Sequence, residues 1–131
     1  MRTELIVADS SWVVNQVRTA LAVDPWEIVV NSDPRTAADE VAELEPDVVL
    51  IDMQIGSMGG MAVARAIRAE SQNKPAPRMV LLLDRSADRF LAKRALVDAS
   101  VIKPFDAAEL RDAIDPEPFA VAAARSGSEE E

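Results

Sequence analysis

The sequence predicts an α/β domain in which helices cover both faces of a five-stranded parallel sheet. Two observations carry that prediction. Short apolar runs alternate strictly with amphipathic stretches, five times over. Runs such as "VVLI" and "VLLL" also lack polar alternation, which marks strands covered on both faces. Right-handed crossovers between parallel strands then favour three layers, helix–sheet–helix. A length of 131 residues, 49% of them apolar, suits one domain with a full core.

Each element has its own signal. "TELIVAD" (3–9) is an apolar run closed by an acid, a central strand. In "SSWVVNQVRTALAV", Val13, Val14, Val17 and Leu21 fall at helical spacing, and Ser10 or Ser11 stands ready to cap the first turn. "WEIVVN" (26–31) is the second strand. Asp33 before Pro34 opens a capped helix with an Ala37, Val41, Leu44 stripe. "DVVLID" (47–52) is the third strand, and "GGMAVARAIRAE" is a helix facing inward through Val63, Ala64 and Ile67. "RMVLLLD" (78–84) is the fourth strand, and 86–96 reads as a helix on Ala87, Leu91 and Ala95. "ASVI" (99–102) is the fifth, running into Lys103 and Pro104. A last helix over 105–114 is halted by Asp115-Pro116. Beyond it, 116–125 is an extension in which 117–125 reads as a weak helix packed through Phe119 and Val121, and 126–131 a disordered acidic tail.

Composition removes several functions. With no cysteine and no histidine, disulfides, thiolate or imidazole metal sites and Ser-His or Cys-His catalysis are excluded. Net charge is −9, from 23 acids against 14 bases, and no basic patch offsets it, so direct nucleic-acid binding is not expected. No apolar run is long enough for membrane insertion, and the N-terminal run is too short for a signal peptide, so a cytoplasmic location is expected.

Three predicted strands end in an acid, at Asp9, Asp52 and Asp84, and the fifth runs into Lys103. In open parallel sheets ligands gather beyond the carboxyl ends of strands. Three carboxylates and one ammonium, distant in sequence, would then share one rim. Each has a plainer reading: Asp9 and Asp84 as helix caps, Lys103 as a surface residue. Asp52 resists it, because the next helix starts near Gly59. The small residues of "GSMGG" after Asp52 instead let backbone approach a ligand closely.

"LIVADSS", "PDVVLIDMQIGSMGGMAVARAIR" and "VIKPFD" together resemble the receiver domain of two-component response regulators, over residues 3–115. Gly60 lies eight residues after Asp52, and Lys103-Pro104-Phe105 reproduces the family's lysine-proline pair and aromatic neighbour. The resemblance implies the flavodoxin-like receiver fold, strand order 2-1-3-4-5, with 1–115 as the receiver domain. It implies a non-enzymatic, stand-alone signalling protein that accepts a phosphoryl group on Asp52. Mg²⁺ would be held by Asp9, Asp52 and the Gln54 backbone carbonyl, and Lys103 would contact the phosphoryl group. A sensor histidine kinase or other phosphodonor and a downstream protein are the implied partners.

The chain departs from that pattern. Ala8 replaces one of two adjacent acids, which is expected to weaken Mg²⁺ binding. Asp84, or Leu83 one residue earlier, occupies the place of a Ser or Thr that meets the phosphoryl group. An acid facing a phosphoryl oxygen at ~5 Å costs ~3 kcal/mol at an effective dielectric near ~20, unless Asp84 turns inward as a third metal ligand. Ser100 replaces the aromatic switch residue, the segment from Asp84 to Lys103 is short, and Gly56 replaces a proline, which should loosen its loop. An alternative reading is therefore a receiver-like module that binds partners unphosphorylated. A flavodoxin-like cofactor carrier lacks its glycine-rich phosphate loop, and an aspartyl phosphatase lacks its second acid, since Ser11 stands there. A homodimer is a further expectation, with Arg85, Arg89, Lys93 and Arg94 set against Asp106, Glu109 and Asp112.

Overall fold

The five apolar runs form five parallel strands: β1 Arg2–Val7, β2 Trp26–Asn31, β3 Val48–Asp52, β4 Arg78–Leu83 and β5 Ala99–Ile102. Their order in the sheet is β2-β1-β3-β4-β5, the expected doubly wound order. The computed structural model describes residues 2–72 and 74–116, and the expected extension and tail, apart from Pro116, lie outside the described residues. Every residue of β3 is buried, whereas the edge strand β2 is only partly so. That contrast follows from position, since β3 has strands on both sides and helices on both faces.

Side-chain parity divides the core into two layers. Leu5, Val7, Val49, Ile51, Leu81 and Leu83 face α2 (Ala37–Leu44), α3 (Gly60–Glu70) and α4 (Arg89–Arg94). Ile6, Ala8, Leu50, Val80 and Leu82 face α1 (Ser11–Ala20) and α5 (Ala107–Ile114). Ser10 caps α1, accepting from the Val13 amide, and Asp106 and Glu109 make a reciprocal capping box on α5.

Four details differ from expectation. β1 stops at Val7 and β4 at Leu83, so Asp9 and Asp84 stand just past their strands, in loops. The helix expected over 86–96 is a 3-10 turn, Ser86–Asp88, followed by six residues of α4. Its buried stripe is partly rotated: Ala95 is buried as expected, Leu91 is half-buried, Ala87 is exposed, and Ala92 is buried instead. The helix over 34–44 likewise opens with a 3-10 turn, Pro34–Thr36, capped by Asp33.

Glu4 was not anticipated as a core residue. It shares the parity of Ile6 and Ala8, is wholly buried, and neither carboxyl oxygen has a hydrogen-bond partner among the described residues. Burial raises its pKa to about 8, opposed weakly by the Arg18 charge.

The proposed dimer charges are partly engaged within the chain. Arg85 pairs with Asp88 at 3.2 Å, and Asp106 and Glu109 serve the capping box.

Candidate functional site

Asp52 is placed by the strand that carries it and by the turn behind it. It closes β3 opposite Leu82 of β4 and is 2% exposed. The chain then turns tightly: the Ile55 amide donates to the Asp52 carbonyl and the Gly60 amide to that of Met53. A Cβ on Gly60 would lie 2.7 Å from the Asp52 carbonyl oxygen and 2.9 Å from the Met53 Cα, so only glycine lets α3 start against the end of β3. Gly59 caps that helix at φ 83° and ψ 152°, a conformation open essentially to glycine alone.

Lys103 enters from β5. Its amide donates to the Leu83 carbonyl at 2.7 Å, adding one rung to the β4–β5 ladder and fixing where the side chain departs. The Nζ lies 2.6 Å from Asp52 Oδ1 and 3.1 Å from Asp84 Oδ1, with the side chain 6% exposed. Asp52 Oδ1 also accepts from the Gln54 amide at 3.1 Å, while Oδ2 takes no hydrogen bond from any described residue. One carboxylate oxygen is therefore held and the other left open.

Asp84 is the first residue past β4, and its side chain is 41% exposed. Of the two registers considered, Asp84 and not the buried Leu83 stands at the site. It turns toward the lysine, and among the described residues no three acidic side chains are gathered as a metal-holding group.

Asp9 sits on the same rim, exposed, with Oδ2 accepting from the Gly56 amide at 3.0 Å. Here the expectation for Gly56 is corrected. A proline would have no amide to donate and could not reach the φ of 51° found there, so glycine ties the loop to Asp9 rather than loosening it. A residue that restores an N–H where a proline is usual was the available signal. The Gln54 carbonyl takes no hydrogen bond from the described residues. The rim thus carries three carboxylates against one ammonium, with hard oxygen donors from Asp9, Asp52 and Gln54.

Ser100 is half-buried on β5 and paired opposite Leu81. Trp12 lies 56% exposed in the first turn of α1 and lines a shallow cleft with Phe105 and Asp106. No helix among the described residues is long and apolar enough to cross a membrane.

Comparison with known proteins agrees with this fold. A family model described as the response regulator receiver domain matches residues 5–115. The regulatory protein AtoC of Escherichia coli is 34% identical over 109 residues, covering 81% of this chain and 23% of AtoC. The DNA-binding response regulator MtrA of Mycobacterium tuberculosis is 30% identical over 106 residues, covering 81% of this chain and 46% of MtrA. The chain therefore spans less than half the length of these curated relatives. Among solved structures, the receiver domain of sensor histidine kinase PA1611 from Pseudomonas aeruginosa superposes with a TM-score of 0.75 at 22% identity, covering 86% of this chain and 93% of that one. That structure has a magnesium ion coordinated in its active site cleft.

Proposed function

This chain belongs to the response regulator receiver domain family, and from that premise we propose that Asp52 accepts a phosphoryl group as the input step of a two-component pathway. The observation that carries the reading is the Lys103–Asp52 contact of 2.6 Å at the end of β3, which holds one carboxylate oxygen and leaves the other open. A carboxylate oxygen of Asp52 attacks the phosphorus. As the new O–P bond forms, the bond from phosphorus to the donor breaks. That donor atom is a phosphohistidine nitrogen of a sensor kinase or the carboxylate oxygen of acetyl phosphate, and it keeps the electron pair. The product is an acyl phosphate. Lys103 Nζ contacts an oxygen of the transferred group as a point charge.

Mg²⁺ suits the donors present. Asp9, Asp52 and the Gln54 carbonyl are hard oxygens, and Mg²⁺ takes one or two carboxylates while keeping several waters. When bound it supplies positive charge where two anions must meet. Ala8 leaves the set one acid short, so affinity is expected to be lower than a four-donor site would give. The signal then passes to a downstream protein by contact.

A second reading, a module that binds partners without phosphorylation, is favoured by one observation: Asp84 already pairs with Lys103. Trp12, beside the rim, separates the two readings. Fluorescence titration with Mg²⁺ and then beryllofluoride is expected to change Trp12 emission in the native chain, with the beryllofluoride response lost in Asp52→Asn. No response to either addition would favour the module.

A further inference from the structure

We infer that Asp84 is an internal competitor for Lys103, which holds the lysine in the resting protein and must release it before a phosphoryl group is fully seated on Asp52. The inference rests on Asp52 as acceptor and adds regulation of the same site. It follows from the way one ammonium is divided. Lys103 Nζ reaches Asp52 at 2.6 Å and Asp84 at 3.1 Å, and its side chain is almost fully enclosed. An ammonium has three donors, so both contacts are sustained together. The three groups differ in freedom. Asp52 and Lys103 have side chains 2% and 6% exposed, and Asp84 is 41% exposed. Asp84 can turn into water at little cost, whereas the buried pair cannot separate cheaply.

Asp84 has no other cation to hold it. Among the described residues its only ion pair is with Lys103, and neighbouring Arg85 is engaged by Asp88 at 3.2 Å. An incoming phosphoryl oxygen therefore meets a lysine whose charge is already shared between two carboxylates. Seating it exchanges one anion for another on Lys103. Asp84 thus acts as a positioning residue, setting how readily the lysine turns to the new group.

Two readouts test this on the full chain. The first is inorganic phosphate without metal, followed through the backbone amide NMR shift of Lys103. A like charge within about 5 Å in a partly solvated site weakens anion binding by about tenfold or more, so Asp84→Asn is expected to bind phosphate at least that much more tightly. Asp84→Glu, which keeps the charge, is expected to stay near native. The second is intact-mass labelling by acetyl phosphate with Mg²⁺, where Asp84→Asn is expected to reach half-labelling at a lower acetyl phosphate concentration. If native and Asp84→Asn both label at the same acetyl phosphate concentration and bind phosphate alike, the competitor role is overturned and Asp52 as acceptor still stands. If neither labels but phosphate binding tightens only in Asp84→Asn, the acceptor reading fails and the competition for Lys103 stands. If Asp84→Asn binds phosphate no better than native and does not label, both are overturned.

Discussion

Denaturant unfolding of the native chain is expected to show stability falling as pH rises from about 4.5 towards about 8, with Glu4 as the cause. The sign follows from proton linkage. The Glu4 carboxyl has a pKa raised from 4.5 to about 8 in the folded chain by burial, so between those values the folded state holds a proton that the unfolded state has released. Its stabilising contribution is complete below pH 4.5 and is lost as pH climbs through the folded value. A difference of that size corresponds to a loss on the order of 5 kcal/mol across the window, large against typical domain stabilities of ~5–15 kcal/mol. Neither Glu4 oxygen has a hydrogen-bond partner among the described residues, and the Arg18 charge offsets ionisation only in part. Glu4→Leu, close in volume, is expected to flatten the profile and to be more stable than the native chain at pH 8. Urea melts at pH 5 and pH 8 on both proteins check this. A native profile no steeper than that of Glu4→Leu would show that Glu4 ionises freely.

Removing Lys103 is expected to cost more stability than removing Asp52. Lys103→Ala leaves the Asp52 charge 2% exposed, with the Gln54 amide as its remaining donor. Stripping one partner from a buried ion pair typically costs about 3–5 kcal/mol. Asp52→Ala leaves Lys103 still beside Asp84, 3.1 Å away, so the buried ammonium keeps a counter-charge and the loss is smaller. Guanidinium unfolding of the two variants at pH 7 measures the difference. Equal losses, or a larger loss for Asp52→Ala, would mean that Asp84 does not support the lysine.

Much of the fold was legible because the strands are buried on both faces and so write unbroken apolar runs. "VVLID" and "RMVLLL" could hardly be read otherwise, and the sheet order followed from the family resemblance and is the order found. The region after β4 was harder. A 3-10 turn shifts the helical phase by a fraction of a turn per residue, so of the stripe read through Ala87, Leu91 and Ala95 it is Ala95 that is fully buried, Leu91 is half-buried, Ala87 is exposed, and Ala92 joins the core. Glu4 was legible in principle through its parity with Ile6 and Ala8, yet an acid at the head of an apolar run reads first as a flank.

The site divides in the same way. Asp52 and Lys103 were marked by a charge ending a buried strand and by a lysine before proline, and the fold brings them together. Which way Asp84 turns was not legible, because a side chain just past a strand can face either neighbour. Its direction is set by the Lys103 ammonium, a contact across 19 residues of sequence. Gly56 was misread for a related reason: a glycine in a loop signals freedom, and only the position of Asp9 gives its amide a partner.

Everything proposed for this rim depends on Asp52 as its chemically reactive carboxylate. Incubation with acetyl phosphate and Mg²⁺, followed by intact-mass and peptide-mass analysis, tests that most directly. The predicted result is one added phosphoryl group mapped to the peptide bearing Asp52, absent from Asp52→Asn. Labelling that persists unchanged in Asp52→Asn, or that maps to another residue in the native chain, would contradict it.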